Sequence, residues 1–214
     1  MFHVKHPAPI PLRTTLPKPT PLDATIRERL DDYVALLLRW NSRINLVGRA
    51  TVDTVWQRHI QDSLQLVPLL PPGEGPMGDL GSGAGLPGLV LAIATGRPTH
   101  LVESDRRKAA FLTDAAGRLG LRHVTIHPMR IEEVRLPPLT LLTARALAPL
   151  DILLAHAHRL LAPGGIALFP KGRTAEAELA EARTAWSFTP EHFTSQTDPE
   201  ATIFRLSDIR HVQS

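Results

Sequence analysis

The chain contains no cysteine. This excludes disulfides, thiolate metal sites and a cysteine nucleophile. No apolar run approaches the roughly 20 residues needed to cross a bilayer. Near the N-terminus, proline stands where a secretory signal would carry an apolar core. A cytoplasmic protein without membrane attachment is therefore expected. His156 and His158 have no carboxylate or histidine partner at metal-ligand spacing, so no metal site is expected. Neither sign of charge dominates: 24 Lys and Arg face 21 Asp and Glu, for a formal net charge of +3. That balance permits a nucleic-acid partner without demanding one. What the sequence does have is length and apolar content. Its 214 residues, 43% hydrophobic, suffice to bury a core in one domain with a modest extension.

Three segments can be read along the chain. Residues 1–21 read as a disordered leader, because Pro7, Pro9, Pro11, Pro17, Pro19 and Pro21 remove backbone donors and few apolar side chains offset the ordering entropy. Residues 1–6 (Met-Phe-His-Val-Lys-His) can be encoded by ATG TTT CAC GTG AAA CAY. That string contains a palindrome similar to the bacterial centromere-like site, so a DNA-level constraint on this hexapeptide is one reading. Residues 22–72 read as an N-terminal helical extension. Thr25-Ile26-Arg27-Glu28 fits a capping box, and Ile26, Leu30, Tyr33, Leu37, Trp40 and Ile44 recur at helical spacing. A second helix is expected over residues 52–66, ended by Pro68, Pro71 and Pro72. Residues 73–214 read as the main domain. Strands are expected at 77–80, 99–103, 124–127, 139–143 and 166–170, with helices between them. Two tail strands, 192–196 and 201–206, should form an antiparallel edge hairpin. Strand–helix alternation of this kind implies a mostly parallel sheet covered on both faces, here with seven strands.

The sharpest motif is Asp79-Leu80-Gly81-Ser82-Gly83-Ala84-Gly85-Leu86-Pro87-Gly88. It joins an expected strand to an expected helix, where glycines let backbone approach a ligand. Glu103, at the end of the next strand, lies at the distance that suits a ribose diol. A dinucleotide fingerprint would want Gly or Ala where Leu86 stands, which disfavours a dehydrogenase. The loop looks instead like the nucleoside-binding turn of class I methyltransferases, which take S-adenosylmethionine. Gly81, Gly83, Gly85, Leu86 and Glu103 are the expected cofactor residues. Ile131 and Glu132, after the third strand, are placed to frame an adenine ring. Arg145, after the fourth, could pair with the methionyl carboxylate or an RNA phosphate.

From residue 30 to residue 172 these motifs sit in an ordered series. It comprises Trp40-Asn41, Asn45-Leu46, Arg58-His59, Asp62-Ser63-Leu64, the glycine turn, Leu101-Val102-Glu103-Ser104, Arg107-Lys108 and Phe111-Leu112. Arg130-Ile131-Glu132-Glu133, Arg145-Ala146, Leu161-Ala162-Pro163-Gly164-Gly165 and Lys171-Gly172 follow. The series resembles the bacterial 16S ribosomal RNA guanine-N7 methyltransferases, once called glucose-inhibited division protein B. The resemblance implies a class I, Rossmann-like methyltransferase fold with S-adenosylmethionine as donor. It also implies 16S ribosomal RNA of the small ribosomal subunit as partner and N7 of guanine 527 as target. Thr140 stands where that family usually has Asp, and Glu103 where it often has Asp. The Pro-rich leader lies outside the pattern.

The absences agree with a ring nitrogen as nucleophile. Guanine N7 carries an in-plane lone pair and needs no deprotonation, so positioning and electrostatics should carry catalysis. After the fourth strand the chain reads Thr143-Ala144-Arg145-Ala146, not the Asn/Asp-Pro-Pro-aromatic signature of exocyclic-amine methyltransferases. Methylation at pyrimidine C5 would call for the missing cysteine. His59 and Asp62, one helical turn apart, are expected beside the cofactor or the target base, or else in a polar network at the domain contact. Lys171, after the fifth strand, is expected to reach the RNA backbone or the guanine carbonyl oxygen. Arg145, Lys171 and His59 are thus the candidate catalytic residues of a chain expected to act as a monomer. Two alternatives stand: a methyltransferase for another substrate, and a non-catalytic ribosome-assembly factor of the same fold.

Overall fold

Helix α1 (Ala24–Asn41) begins two residues earlier than its capping box suggests. Asp23, in extended backbone, accepts a hydrogen bond from the Thr25 N–H at 2.8 Å, so the short carboxylate caps the helix and Thr25 lies inside it. The computed structural model describes residues 14–17 and 21–212, and the Met1–His6 hexapeptide lies outside them. Leu30, Tyr33, Leu36 and Leu37 form the buried face of α1. The single helix expected over 52–66 is instead irregular. A 3-10 turn (Arg49–Thr54) leads into a wide π turn (Trp56–Ile60), then into the one-turn helix α2 (Gln61–Leu64) and a second 3-10 turn (Val67–Leu69). Arg58 and His59 sit on the wide turn, an irregularity often found at functional sites.

Seven strands follow: β1 (Met77–Leu80), β2 (Thr99–Val102), β3 (Val124–His127), β4 (Leu139–Ala144), β5 (Leu161–Lys171), β6 (Trp186–Thr194) and β7 (Thr202–His211). Their spatial order is β3-β2-β1-β4-β5-β7-β6, parallel from β3 to β5, with β7 antiparallel to both β5 and β6. The expected tail hairpin is present, but its second strand is inserted beside β5 and its first lies at the edge. Helices α3 (Gly88–Thr95), α4 (Arg106–Arg118), α5 (Leu150–Leu160) and α6 (Ala175–Ala182) make the crossovers. Because β1 lies between β2 and β4, the chain reverses direction across the sheet there. A crevice opens at the carboxyl ends of these strands.

Two departures have physical causes. Trp186, expected at the end of a helix, opens β6 because its indole is buried against the rings of His158 and His211, at centroid distances of 5.8 and 4.9 Å. The described part of the expected leader is also not loose. Thr14 pairs with Phe193 of β6 in a parallel bridge, and Leu16 is buried among Leu66, Leu69, Phe193 and Ile203. An edge strand offers unpaired backbone groups, and Thr14 takes up two of them, donating to His192 O at 2.7 Å and accepting from the Thr194 N–H at 3.4 Å. The α1 residues Leu30, Tyr33 and Leu37 share one apolar cluster with Leu89 of α3 and Phe111 of α4. The helical segment therefore packs into the core of the sheet domain.

Candidate active site

The turn after β1 is shaped by Gly81, Gly83 and Gly85, with φ of 63°, 54° and 83°. At Gly81 the need is double. A side chain there would adopt a left-handed backbone, and its Cβ would stand 2.6 Å from Leu147 Cδ1. Glu103, 7% exposed, closes the turn from β2: Oε2 accepts from the Gly83 N–H and Oε1 from the Asp105 N–H, both at 2.8 Å. Each carboxylate oxygen keeps a lone pair for a ligand hydroxyl. Beneath the turn, Asp79 is fully buried and accepts from the Thr143 hydroxyl at 2.7 Å. Burial pushes its carboxyl up to about 6, against hydrogen bonds from Thr143 and Ser82 that pull it down.

Two cavities open at this edge of the sheet. The first, of about 360 Å³, is bordered by Gly81, Gly83, Glu103, Ile131 and Glu132 together with Lys108. Five of the expected cofactor residues thus come together. Leu86 does not join them: it is buried in the apolar cluster with Ala84 and Leu89. Gly85 faces the core as well, where a Cβ would meet Leu89 and Leu112. The second cavity, of about 500 Å³, holds Arg58, His59, Asp62, Arg145 and Lys171, so the three expected catalytic residues line one space. Arg145 faces this second cavity, not the first. Ala146, Leu147 and Ala148 border both and form the wall between them.

Arg145 donates from Nη1 to Asp62 Oδ2 at 3.0 Å, and its Nη2 lies 3.5 Å from His59 Nδ1. His59 Nε2 is 2.9 Å from the Thr51 hydroxyl. Burial and the neighbouring Arg145 charge hold the His59 pKa below the usual histidine value, partly offset by Asp62. A neutral ring with Nδ1 facing the guanidinium suits this arrangement. Asp62 Oδ1 accepts from Thr197 at 2.6 Å and from Gln65 at 2.8 Å, which ties α2 to the β6–β7 connection. Sequence reading found Asp62 but missed Gln65 and Thr197; polar residues on a half-helical segment and in a loop carry no periodic signal.

Lys171 is engaged differently from the expected RNA contact. Its side chain is 10% exposed, and its ammonium donates to Ala148 O at 2.6 Å and pairs with Glu178 Oε2 at 2.8 Å. Glu178 also accepts from the Leu150 N–H at 3.0 Å and from the Thr174 hydroxyl at 2.7 Å. Burial raises the Glu178 carboxyl, but these donors together bring it below its ordinary value. The pair fixes residue 148 of the dividing wall and the start of α5. Glu178 was not found from sequence, because an acid near a helix start reads as a solvated face.

Comparison with known proteins agrees with this geometry. Residues 26–203 match the family described as GidB, rRNA small subunit methyltransferase G. A protein from Granulibacter bethesdensis named ribosomal RNA small subunit methyltransferase G is 54% identical over 215 residues, covering 99% of this chain and all of that one. One of the same name from Gluconobacter oxydans is 47% identical over 193 residues, covering 90% and 99%. Among solved structures, a ribosomal protein L11 methylase from Lactobacillus delbrueckii subsp. bulgaricus has a TM-score of 0.57 at 12% identity, covering 70% of this chain and 78% of its own. The N-methyltransferase NodS from Bradyrhizobium japonicum, in complex with S-adenosyl-L-homocysteine, has a TM-score of 0.50 at 13% identity, covering 89% and 100%. The fold is that of the class I methyltransferases, and the chain belongs to the rRNA small subunit methyltransferase G family.

Proposed function

We propose that this protein transfers a methyl group from S-adenosylmethionine to N7 of guanine 527 in the 16S ribosomal RNA of the small subunit. The observation that carries the reading is the pair of cavities divided by residues 146–148 at the sheet's switch point. One has a glycine turn and a carboxylate poised for a ribose; the other is lined by Arg58, Arg145 and Lys171 together with Asp62, Glu178 and Asp198.

The residues present fit the donor. Gly81 and Gly83 border the first cavity and a Cβ at Gly81 would strike its wall; Glu103 offers two oriented oxygens; Ile131 offers an apolar surface for a purine. When bound, S-adenosylmethionine supplies an electrophilic methyl on a sulfonium. The protein's part is to hold the acceptor. A neutral guanine brings its own lone pair to N7, so no residue need remove a proton, and a neutral His59 fits that economy. Methylation at N7 leaves the base with a positive charge. Asp62, oriented by Arg145, Gln65 and Thr197, is the carboxylate in that cavity positioned to stabilise it. Arg145 faces the second cavity just before the dividing wall, and Lys171 supports the wall from below. RNA phosphates would meet exposed Arg58 at the rim.

No described helix is long and apolar enough to cross a membrane. A ribosomal substrate suits a monomeric cytoplasmic enzyme, with residues 22–72 as an extension of a domain over 73–214. The test is transfer of labelled methyl to small subunits that lack the modification. One label per particle, at N7 of guanine 527, is expected; label elsewhere, or none, rejects the reading.

A further inference from the structure

Tyr33 is the chain's single tyrosine and has no solvent exposure. It lies on α1, well outside the strand–turn–helix unit that carries the cofactor motif, yet its hydroxyl donates to the carbonyl of Ala84, in the middle of the glycine turn. Its ring packs against Phe111 of α4 with centroids 6.4 Å apart. Burial pushes the phenol's pKa up, so it keeps the proton that it donates.

The bond matters because of what else holds the turn. Three glycines at positive φ give this backbone wide conformational freedom, and freedom in a binding loop weakens binding. On the ligand side, Glu103 fixes the Gly83 N–H. Two peptide planes further on, the one between Ala84 and Gly85 has its N–H bonded to Ser82 O at 2.6 Å, a bond made within the turn itself. Its carbonyl is the group Tyr33 takes. The turn is therefore gripped by one side chain from β2 and one from α1. Removing the second would leave the Ala84 carbonyl buried without a side-chain donor, since Ala84 is 5% exposed.

We infer that Tyr33 is a positioning residue for the donor site: through Ala84 it holds the glycine turn in the shape that binds S-adenosylmethionine, and makes α1 part of that site. The inference rests on the methyltransferase reading above. It assigns Tyr33 no contact with substrate.

The test compares Tyr33→Phe, which keeps the ring and removes the hydroxyl, with Trp40→Phe. The latter removes another polar tie of α1 to the domain, the indole N–H donated to Asp114 at 3.0 Å, without touching the turn. Calorimetry with S-adenosylmethionine should show binding weakened about tenfold in Tyr33→Phe and unchanged in Trp40→Phe. At saturating donor and RNA, turnover of Tyr33→Phe should stay within about twofold of wild type, so the loss appears in the donor KM and not in kcat. Unchanged affinity in Tyr33→Phe, or equal weakening in both variants, overturns the inference. A measurement independent of folding in the variants uses the lone tyrosine. With 3-fluorotyrosine incorporated, the single 19F resonance should shift as S-adenosylhomocysteine saturates the protein, and an unmoved resonance overturns the inference as well. If wild-type protein binds neither molecule, it is the methyltransferase reading that fails.

Discussion

Burial of Asp79 makes the protein's stability depend on pH in a defined direction. Its carboxyl titrates near 6 in the folded chain against 3.8 for the exposed group, so between those values the native state holds a proton that the unfolded chain has lost. Stability should fall as pH rises from about 4 to about 6 and stay lowered above. Two units correspond to about 3 kcal/mol. Asp79→Asn cannot ionise and should lack this slope. Urea unfolding at pH 4.5 and pH 8 is expected to move in the variant's favour by roughly 2–3 kcal/mol at the higher pH. Parallel pH profiles would contradict the assignment. Lys171 gives a second test at this scale. Lys171→Ala strands the Glu178 carboxylate and should cost on the order of 2 kcal/mol, while the double variant with Glu178→Ala should cost less than the sum. An RNA contact would behave otherwise. Stability would hold, and the salt dependence of RNA binding would lose about one unit of slope. Sequence could place Arg145 and Lys171 just after strands and His59 on a helix, but not decide what they touch. Asp62 and Arg145 are 83 residues apart, and only the sheet's topology joins them.

At the scale of elements, what was legible followed from local rules. Strands β1 and β3 stand at the bounds expected for them, 77–80 and 124–127, and α4 carries an acid cap at Asp105 and a positive-φ glycine, Gly120, just beyond its last turn. What was not legible depended on partners distant in sequence. The tail strands run to nine and ten residues, longer than expected, and the residues that extend them, such as Ser187, Glu191 and Arg210, are polar and exposed, so no apolar run marks them. The stretch 49–69 keeps a helical spacing of apolar residues while changing helix type, which spacing does not report. The contact of residues 14–17 with β6 was invisible for the same reason, since a proline-rich segment with one apolar side chain gives no pattern. It has a measurable weight. A chain starting at Thr14 should unfold at higher urea than one starting at Lys18, by about 1–3 kcal/mol for the burial of Leu16 and its bridge. Equal midpoints would show that the strand contact contributes nothing.

At the scale of the whole molecule, the parallel sheet brings a glycine turn from β1, an acid from β2 and an arginine from β4 to one edge. The helical segment brings His59 and Asp62 over it. The ordered motifs made that assembly readable in outline, because class I folds place ligand groups at strand ends. The division of the edge into two cavities was not readable, since it depends on the path of residues 146–148. Between them, those two cavities are expected to pass a methyl group to one guanine of the small-subunit RNA. Mass mapping of 16S ribosomal RNA tests it most directly, in cells lacking the gene and in the same cells carrying the wild-type gene or Gly81→Val. Loss of a single methyl at guanine 527 is expected without the gene, its return with wild type, and no return with Gly81→Val despite a folded, expressed protein. An unchanged methyl at that guanine in cells lacking the gene, or full restoration by Gly81→Val, would contradict it.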